Sequence, residues 1–322
     1  MGDFHSSDSG PCLTLEKLAM KKSLIALAVI AVSGTAFAQS SVTIYGKADI
    51  GVARSIGSDV NELKQAAGSR VGFRGTEDLG GGLKANFTYE HRFLPDTGAV
   101  ANTSSFFTGR SIVGLEGGFG RIDMGRDYSA AFWTALAGDV FGYDGVAANG
   151  GVAGAGYQTV RFDNVISYKS PTMGGLTLEA SSALKEAGAK NGSAIRVSYA
   201  SGPIAASIAT EKGLAGQKYN GFGASYNLGV ASVRALISKG ESATGVESDG
   251  MLLGLVVPMG ALQLKASYAT LEVAGKDTVQ QMGLGARYAL SKRTDVYTSY
   301  ANNSKSTAAK KNGIEFGVQH NF

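Results

Sequence analysis

The chain has 322 residues, 30 Lys and Arg against 26 Asp and Glu, a net charge of +4, 46 glycines and only 5 prolines. A surplus of this size over this length is too weak to argue for nucleic acid as a partner, and it matters only where cations converge. Beyond the N-terminus no run approaches the roughly 20 apolar residues of a membrane-spanning helix, so a helical membrane protein is excluded.

The N-terminus reads as a targeting segment. Lys21-Lys22 is a basic region, 24–32 an apolar core, and Ala36-Phe37-Ala38 a small-x-small cleavage site. The expected organisation is an upstream extension at 1–19 that is not native, a signal peptide at 20–38 starting at Met20, and a single barrel domain at 39–322. Cleavage before Gln39 removes three lysines and three acids, so the charge stays at +4; it also removes Cys12, the only cysteine. An exported chain without cysteine needs neither disulfide nor thiol chemistry.

From Gln39 the chain breaks into about sixteen segments in which apolar and polar residues alternate. Short Gly-rich turns and longer polar loops take turns between them. The first segment runs over about 41–54, with Val42 and Ile44 on one face. The next two, 69–78 and 83–94, are joined by the turn Gly80–Gly82. In this hairpin Val71, Phe73, Leu83, Ala85, Phe87 and Tyr89 share one face, and Arg70, Arg74, Lys84, Asn86, Thr88, Glu90 and Arg92 share the other. Segments at about 106–116 and 121–127 follow, with Arg110 opposite Val113 and Leu115.

From Asp127 to about Tyr157 the alternation stops. This stretch is long, rich in Gly and Ala, and holds Phe132, Trp133, Phe141 and Tyr143. Its aromatic content argues against disorder, and its length argues for function. It is expected to fold inward and pack against a wall of the barrel. Alternation resumes at 158–170, with Phe162, Ile166 and Tyr168 expected on the apolar face against Arg161, Asp163, Ser167 and Lys169. It continues through ten further segments at 176–185, 194–201, 204–211, 218–228, 230–239, 249–259, 261–271, 278–290, 294–302 and 313–322. The segment at 249–259 alternates least.

A two-faced ribbon can pack on a second sheet in a soluble sandwich, or face lipid and a watery lumen in a membrane barrel. Sixteen strands of about ten residues, tyrosines near strand ends and no linker favour the barrel, since such strands suit a tilted membrane span. The fold class is therefore all-β, a 16-stranded antiparallel transmembrane barrel.

Four stretches, SVTIYG at 41–46, GSRVGFRGTEDLGGGLKA at 68–85, RFDNVISYKSP at 161–171 and the final strand ending in Phe322, resemble the trimeric porins of Gram-negative bacteria, of beta- and gamma-proteobacterial type. The likeness covers the whole mature chain. It implies a homotrimer in the bacterial outer membrane, amid lipid and lipopolysaccharide, with a third extracellular loop (here 127–157) folded into each pore. It also implies that Phe322 is part of the signal read by the barrel-insertion machinery. Arginines on the second, fourth and sixth strands line the constriction in that family. The loop here lacks the acidic Pro-Glu-Phe-type core of some members.

Expected lumen cations are Arg70, Arg74, Lys84, Arg92, Arg110, Arg121, Arg161, Arg196, Arg234, Lys265 and Arg287. Facing hydrocarbon, each would cost on the order of 2–4 kcal/mol near the midplane. The constriction is assigned to Arg70, Arg74, Arg110 and Arg161, facing Asp139 and Asp144 of the loop, although either acid can equally be a solvated or turn-forming residue. Cations converging in a narrow passage of low dielectric concentrate anions. The function read from this is a water-filled channel for passive diffusion of small hydrophilic solutes and ions, with mild anion preference. The alternatives are a channel preferring small organic or phosphate anions, and an adhesin or structural barrel. Catalysis has little support. The mature chain holds only His91 and His320, Gly80–Gly82 lacks the Lys-Ser/Thr of a phosphate loop, and no Cys/His spacing suggests a metal; no cofactor is expected.

Overall fold

The hairpin that the alternation outlines is present as β3 (Arg70–Gly80) and β4 (Leu83–Arg92) in the computed structural model, which describes residues 41–185 and 191–322. Gly80, Gly81 and Gly82 all adopt positive φ, so three residues that need no Cβ reverse the chain between them. The targeting segment and the upstream extension lie outside the described residues.

β1 (Ser41–Arg54) precedes this hairpin, and a three-residue strand, β2 (Glu62–Lys64), lies between. After it come β5 (Ser111–Gly117), β6 (Gly120–Tyr128), β7 (Arg161–Lys169), β8 (Leu176–Ala183), β9 (Gly192–Ser201) and β10 (Ile204–Lys212). The rest are β11 (Lys218–Asn227), β12 (Ser232–Glu241), β13 (Glu247–Met259), β14 (Leu262–Val273), β15 (Lys276–Ala289), β16 (Thr294–Asn303) and β17 (Asn312–Asn321). Each long strand pairs antiparallel with its sequence neighbours. β1 pairs with β17 from Lys47↔Asn321 to Arg54↔Ile314, which closes a sixteen-stranded barrel.

β2 is the outer end of β3 rather than a seventeenth stave. β1 pairs with β3 from Ser41 to Lys47 and with β2 from Gly51 to Ala53. Between them 65–69 bulges, and Asp49 on β1 holds the bulge. Its Oδ1 accepts from the Ala66 N–H at 2.8 Å, and its own N–H donates to Ser69 Oγ at 3.0 Å.

The apolar face points outward. Val42, Ile208, Ile237 and Phe316 each leave about 60% or more of their surface uncovered by protein, at 67%, 59%, 60% and 62%. In water such a belt would be a large exposed patch; in a bilayer, lipid covers it. Tyr168, Tyr199, Tyr226 and Tyr288 lie at the strand ends that lead into the shorter turns, where an aromatic girdle meets the interface.

One stretch departs from the expected parity. Phe162 is fully buried beneath the inward loop, not on the apolar outer face. Asn164 takes φ +52°, and the β6–β7 register shifts between Gly125 and Asp127, so Phe162 pairs opposite inward-facing Asp127. Two residues on, Ile166 points outward as expected, opposite Met124.

Barrel closure runs to the last residue. Gly46 N–H donates to the Phe322 carbonyl at 2.9 Å, and Phe322 N–H returns a bond to Gly46 at 3.1 Å. A Cβ at Gly46 would lie 2.3 Å from the Phe322 ring and 2.6 Å from the Arg70 carbonyl oxygen. Gly46→Val should therefore destabilise the barrel by about 1–3 kcal/mol, the usual cost of overpacking. A lowered thermal unfolding midpoint in detergent would show this; an unchanged midpoint would contradict it.

Candidate functional site

The lumen is narrowed by the segment between β6 and β7. It carries two short helices, α1 (Phe132–Gly138) and α2 (Gly150–Ala153). Small residues let it lie close to the wall. Gly250 and Gly254 on β13, and Gly283 and Gly285 on β15, face inward where a Cβ would strike the Val152 carbonyl, Val140 or Phe141. Leu236 and Leu252 are almost fully buried there. The same packing explains why 249–259 alternates least, because the inner face of β13 is apolar where the loop covers it.

Polar anchors fix the loop at each end and along its length. Glu211 accepts from the Thr159 N–H at 2.6 Å and from the Ser129 hydroxyl. Ser238 donates to the Val152 carbonyl at 3.0 Å and Ser248 to that of Ala155 at 2.6 Å. Asn149 Nδ2 donates to Ser267 at 3.1 Å, and Gln281 donates back to Asn149 Oδ1 at 3.1 Å. Buried backbone groups of an irregular segment thereby find partners on the wall.

The remaining passage holds a cavity of about 870 Å³. Eight cationic residues line it: Lys47, Arg110, Arg121, Lys169, Arg196, Arg234, Lys265 and Arg287; five acids do, Asp123, Asp127, Asp139, Asp144 and Glu179. Five of the cations are paired. Arg110 forms a two-pronged bond to Asp127 with both distances 2.7 Å, and Arg121 reaches Asp123 at 2.7 Å. Lys169 and Arg196 share Glu179 at 3.4 and 2.5 Å, and Arg287 reaches Asp295 at 3.3 Å. Lys47, Arg234 and Lys265 have no carboxylate within 4.0 Å among the described residues.

Of the four arginines assigned to the constriction, only Arg110 lines this cavity, and Arg70 and Arg161 join it in a network beside it. Glu90 lies between Arg70 at 3.8 Å and Arg92 at 2.9 Å, and accepts from the Tyr45 hydroxyl at 3.3 Å. Arg92 and Arg161 both donate to the Tyr128 hydroxyl, at 3.3 and 2.5 Å, and Arg161 stacks on that ring at 4.2 Å. The Tyr128 N–H donates to Asp127, which holds Arg110. Arg70, Arg110 and Arg161 are thus tied into one network through Glu90, Tyr128 and Asp127. Arg74 lies four residues and about 13 Å from Arg70 along β3, and reaches the network only through the ring of Tyr45, over which it stacks at 5.2 Å.

The two loop acids differ. Asp139 is buried, and its oxygens accept from the backbone N–H of Phe141, Tyr143 and Asn149 at 3.0, 3.1 and 2.9 Å. Burial raises its pKa above the ordinary carboxyl range, and these donors pull the other way. It folds the turn after α1. Burial pushes the Asp144 pKa up to about 6, against the pull of the positive charges on Lys47 and Arg70. Lys47 was not singled out in the sequence, although the parity of Val42 and Ile44 already places it inward. The roles of Glu90 and Tyr128 as tethers had no sequence signal. His91 lies on the outer face, stacked on Phe106 at 4.4 Å with Nδ1 at 2.6 Å from the Phe106 carbonyl oxygen.

Fold and site together define a transmembrane β-barrel with a loop-narrowed, cation-rich aqueous lumen. A family model described as Gram-negative porin matches residues 23–308. The chain is 34% identical to outer membrane porin protein 32 of Delftia acidovorans over 94% of its own length and all of that protein's. It superposes on the anion-selective porin from Comamonas acidovorans with a TM-score of 0.75 and 30% identity, over 88% of this chain and 100% of that one. OmpT of Vibrio cholerae in its trimer form gives 0.71 at 14% identity, over 88% and 99%, a likeness of fold. The chain belongs to the Gram-negative porin family, whose place is the outer membrane.

Two outcomes are expected from this geometry. Asp127→Asn should leave Arg110 without its counter-ion and increase anion over cation permeability, read as a larger reversal potential across a KCl gradient; a fall would contradict the pairing. A carboxyl with a pKa of about 6 is charged above that pH and neutral below it. Lowering the pH from about 7 to 5 should therefore strengthen anion preference, and Asp144→Asn should show the strengthened value at both pH values. A pH response that survives the substitution would assign it elsewhere.

Proposed function

We propose that the protein is a passive diffusion pore for small hydrophilic solutes and ions, with a mild preference for anions and no catalytic turnover. The observation that carries this is the uneven pairing in the lumen. Eight cations face five acids, and Lys47, Arg234 and Lys265 are without a carboxylate in reach among the described residues. Unscreened positive charge in a narrow, low-dielectric passage raises the local anion concentration and raises the barrier to cations. Paired cations contribute less to this field, so the preference is mild. The relative from Comamonas acidovorans, described as anion-selective, supports the sign.

Arg70, Arg110 and Arg161, with Lys47, form the basic side of the constriction, and Asp144 sets a transverse field across it. Arg74 acts nearer the exit and Asp139 holds the loop. The working unit is a homotrimer, the form given for the matched Vibrio cholerae structure, surrounded by outer-membrane lipid and lipopolysaccharide. Residues 20–38 direct export, and the chain's last strand, ending in Phe322, is what the barrel-insertion machinery reads.

The test is the reversal potential of the reconstituted pore across a KCl gradient. Anion preference is expected, and Lys47→Glu with Lys265→Glu should reduce or reverse it. Cation preference in the unaltered protein would overturn the reading.

A further inference from the structure

The face that α1 turns to the water is unlike the rest of the lumen. Trp133, Leu136 and Ala137 lie at helical spacing and line the cavity, and Trp133 keeps 36% of its surface exposed. The opposite face, with Phe132, Ala135 and Gly138, is the one buried against the wall. An amphipathic helix normally buries its apolar stripe and wets its polar one. Here the wetted face is apolar as well: Trp133 leans on Tyr128 at 5.0 Å and on Phe132 at 5.6 Å, and that packing still leaves it and Leu136 open to the cavity.

A row of cations runs along the edge of this exposed face. Arg196 Nε donates to Thr134 Oγ1 at 3.3 Å, Arg234 donates to the Ala137 carbonyl at 3.2 Å, and Lys265 sits 5.7 Å from the Phe141 ring. Thr134 and Ala137 are one turn apart on α1, and Phe141 lies three residues past its end at Gly138, so the cations flank the last turn of the helix and the bend that follows it. Two of the three, Arg234 and Lys265, are among the cations without a nearby carboxylate.

We infer that this is a track for amphipathic organic anions, specifically monocarboxylates with a compact aromatic or branched hydrocarbon body. The inference rests on the pore reading above and adds the substrate class. The carboxylate runs along Arg196, Arg234 and Lys265 while the hydrocarbon covers Trp133 and Leu136. Each contact replaces water on an apolar side chain at the same time as it neutralises a cation. Chloride or acetate uses only the cationic half. An inorganic ion gains nothing from the indole, and a neutral sugar that stacks on it leaves the cations unused, so charge and surface together select this chemistry.

The experiment uses the full-length pore in planar bilayers in KCl, with benzoate or acetate added at equal concentration. Benzoate is expected to lower the current saturably, with half-blocking at a concentration several-fold below that of acetate. The double substitution Trp133→Ala with Leu136→Ala should remove most of the benzoate advantage and leave acetate and the KCl reversal potential unchanged. Trp133→Phe, which keeps an aromatic surface, should retain the advantage. Equal block by the two anions in the unaltered pore would overturn the track without any variant, and so would a benzoate advantage that survives the double substitution. An unaltered pore lacking anion preference in KCl would instead overturn the pore reading, so the two failures are distinct.

Discussion

Seating the loop after β6 on the inner wall is the constraint on which the pore depends. A barrel of sixteen strands is wide enough to leave an open aqueous channel. What remains of that channel is decided by how far the loop stands from β12–β15. Glycines at 250, 254, 283 and 285 remove the side chains that would hold it away. Leu236 and Leu252 give it apolar surface to cover. Glu211, Ser238, Ser248 and Ser267 satisfy its irregular backbone and side chains. Buried area alone would leave the loop free to slide, and the hydrogen bonds fix its register.

With the loop in place, pairing sorts the lumen charges into two groups. On the β3–β7 side most arginines are held by Glu90, Asp127 or Tyr128, so they are rigid and partly neutralised. Beneath the loop, Arg234 and Lys265 are held by a carbonyl and a ring face, neither of which carries a full negative charge. The field along the pore therefore owes more to position than to the number of cations. The same elements that position the loop position these groups, since Arg234 and Lys265 stand on the wall strands that it covers. Packing and electrostatics are in this way one arrangement.

Much of the barrel was legible in the sequence, because lipid on one side and water on the other impose a period of two on every strand. That parity correctly put Arg110, Arg196 and Arg287 in the lumen and, carried along β1, would have found Lys47. It failed at Phe162, where Asn164 in a left-handed conformation shifts the strand by a step that no alternation reveals. The bulge held by Asp49 was invisible for a similar reason, since its partners are twenty residues or fewer away but meet only through register. The seat for the loop left a faint trace, the blurred alternation of 249–259, which reads as a weak strand until the covering segment is known. Charge pairing left none. Whether Arg70 meets Glu90 or Arg110 meets Asp127 depends on cross-strand register and side-chain reach, and these are set by the whole closed sheet.

The central claim is that the loop rests on the wall in the working pore, and a covalent tether tests it most directly. An ideal Cβ at Gly254 lies 3.4 Å from the Val140 Cβ, close to the separation that a disulfide spans. Residues 39–322 contain no cysteine to compete. In the double variant Val140→Cys with Gly254→Cys, oxidation should form the crosslink, and single-channel conductance should be the same before and after reduction. A pair that fails to crosslink, or a conductance that changes when the tether is cut, would show that the loop works from somewhere else.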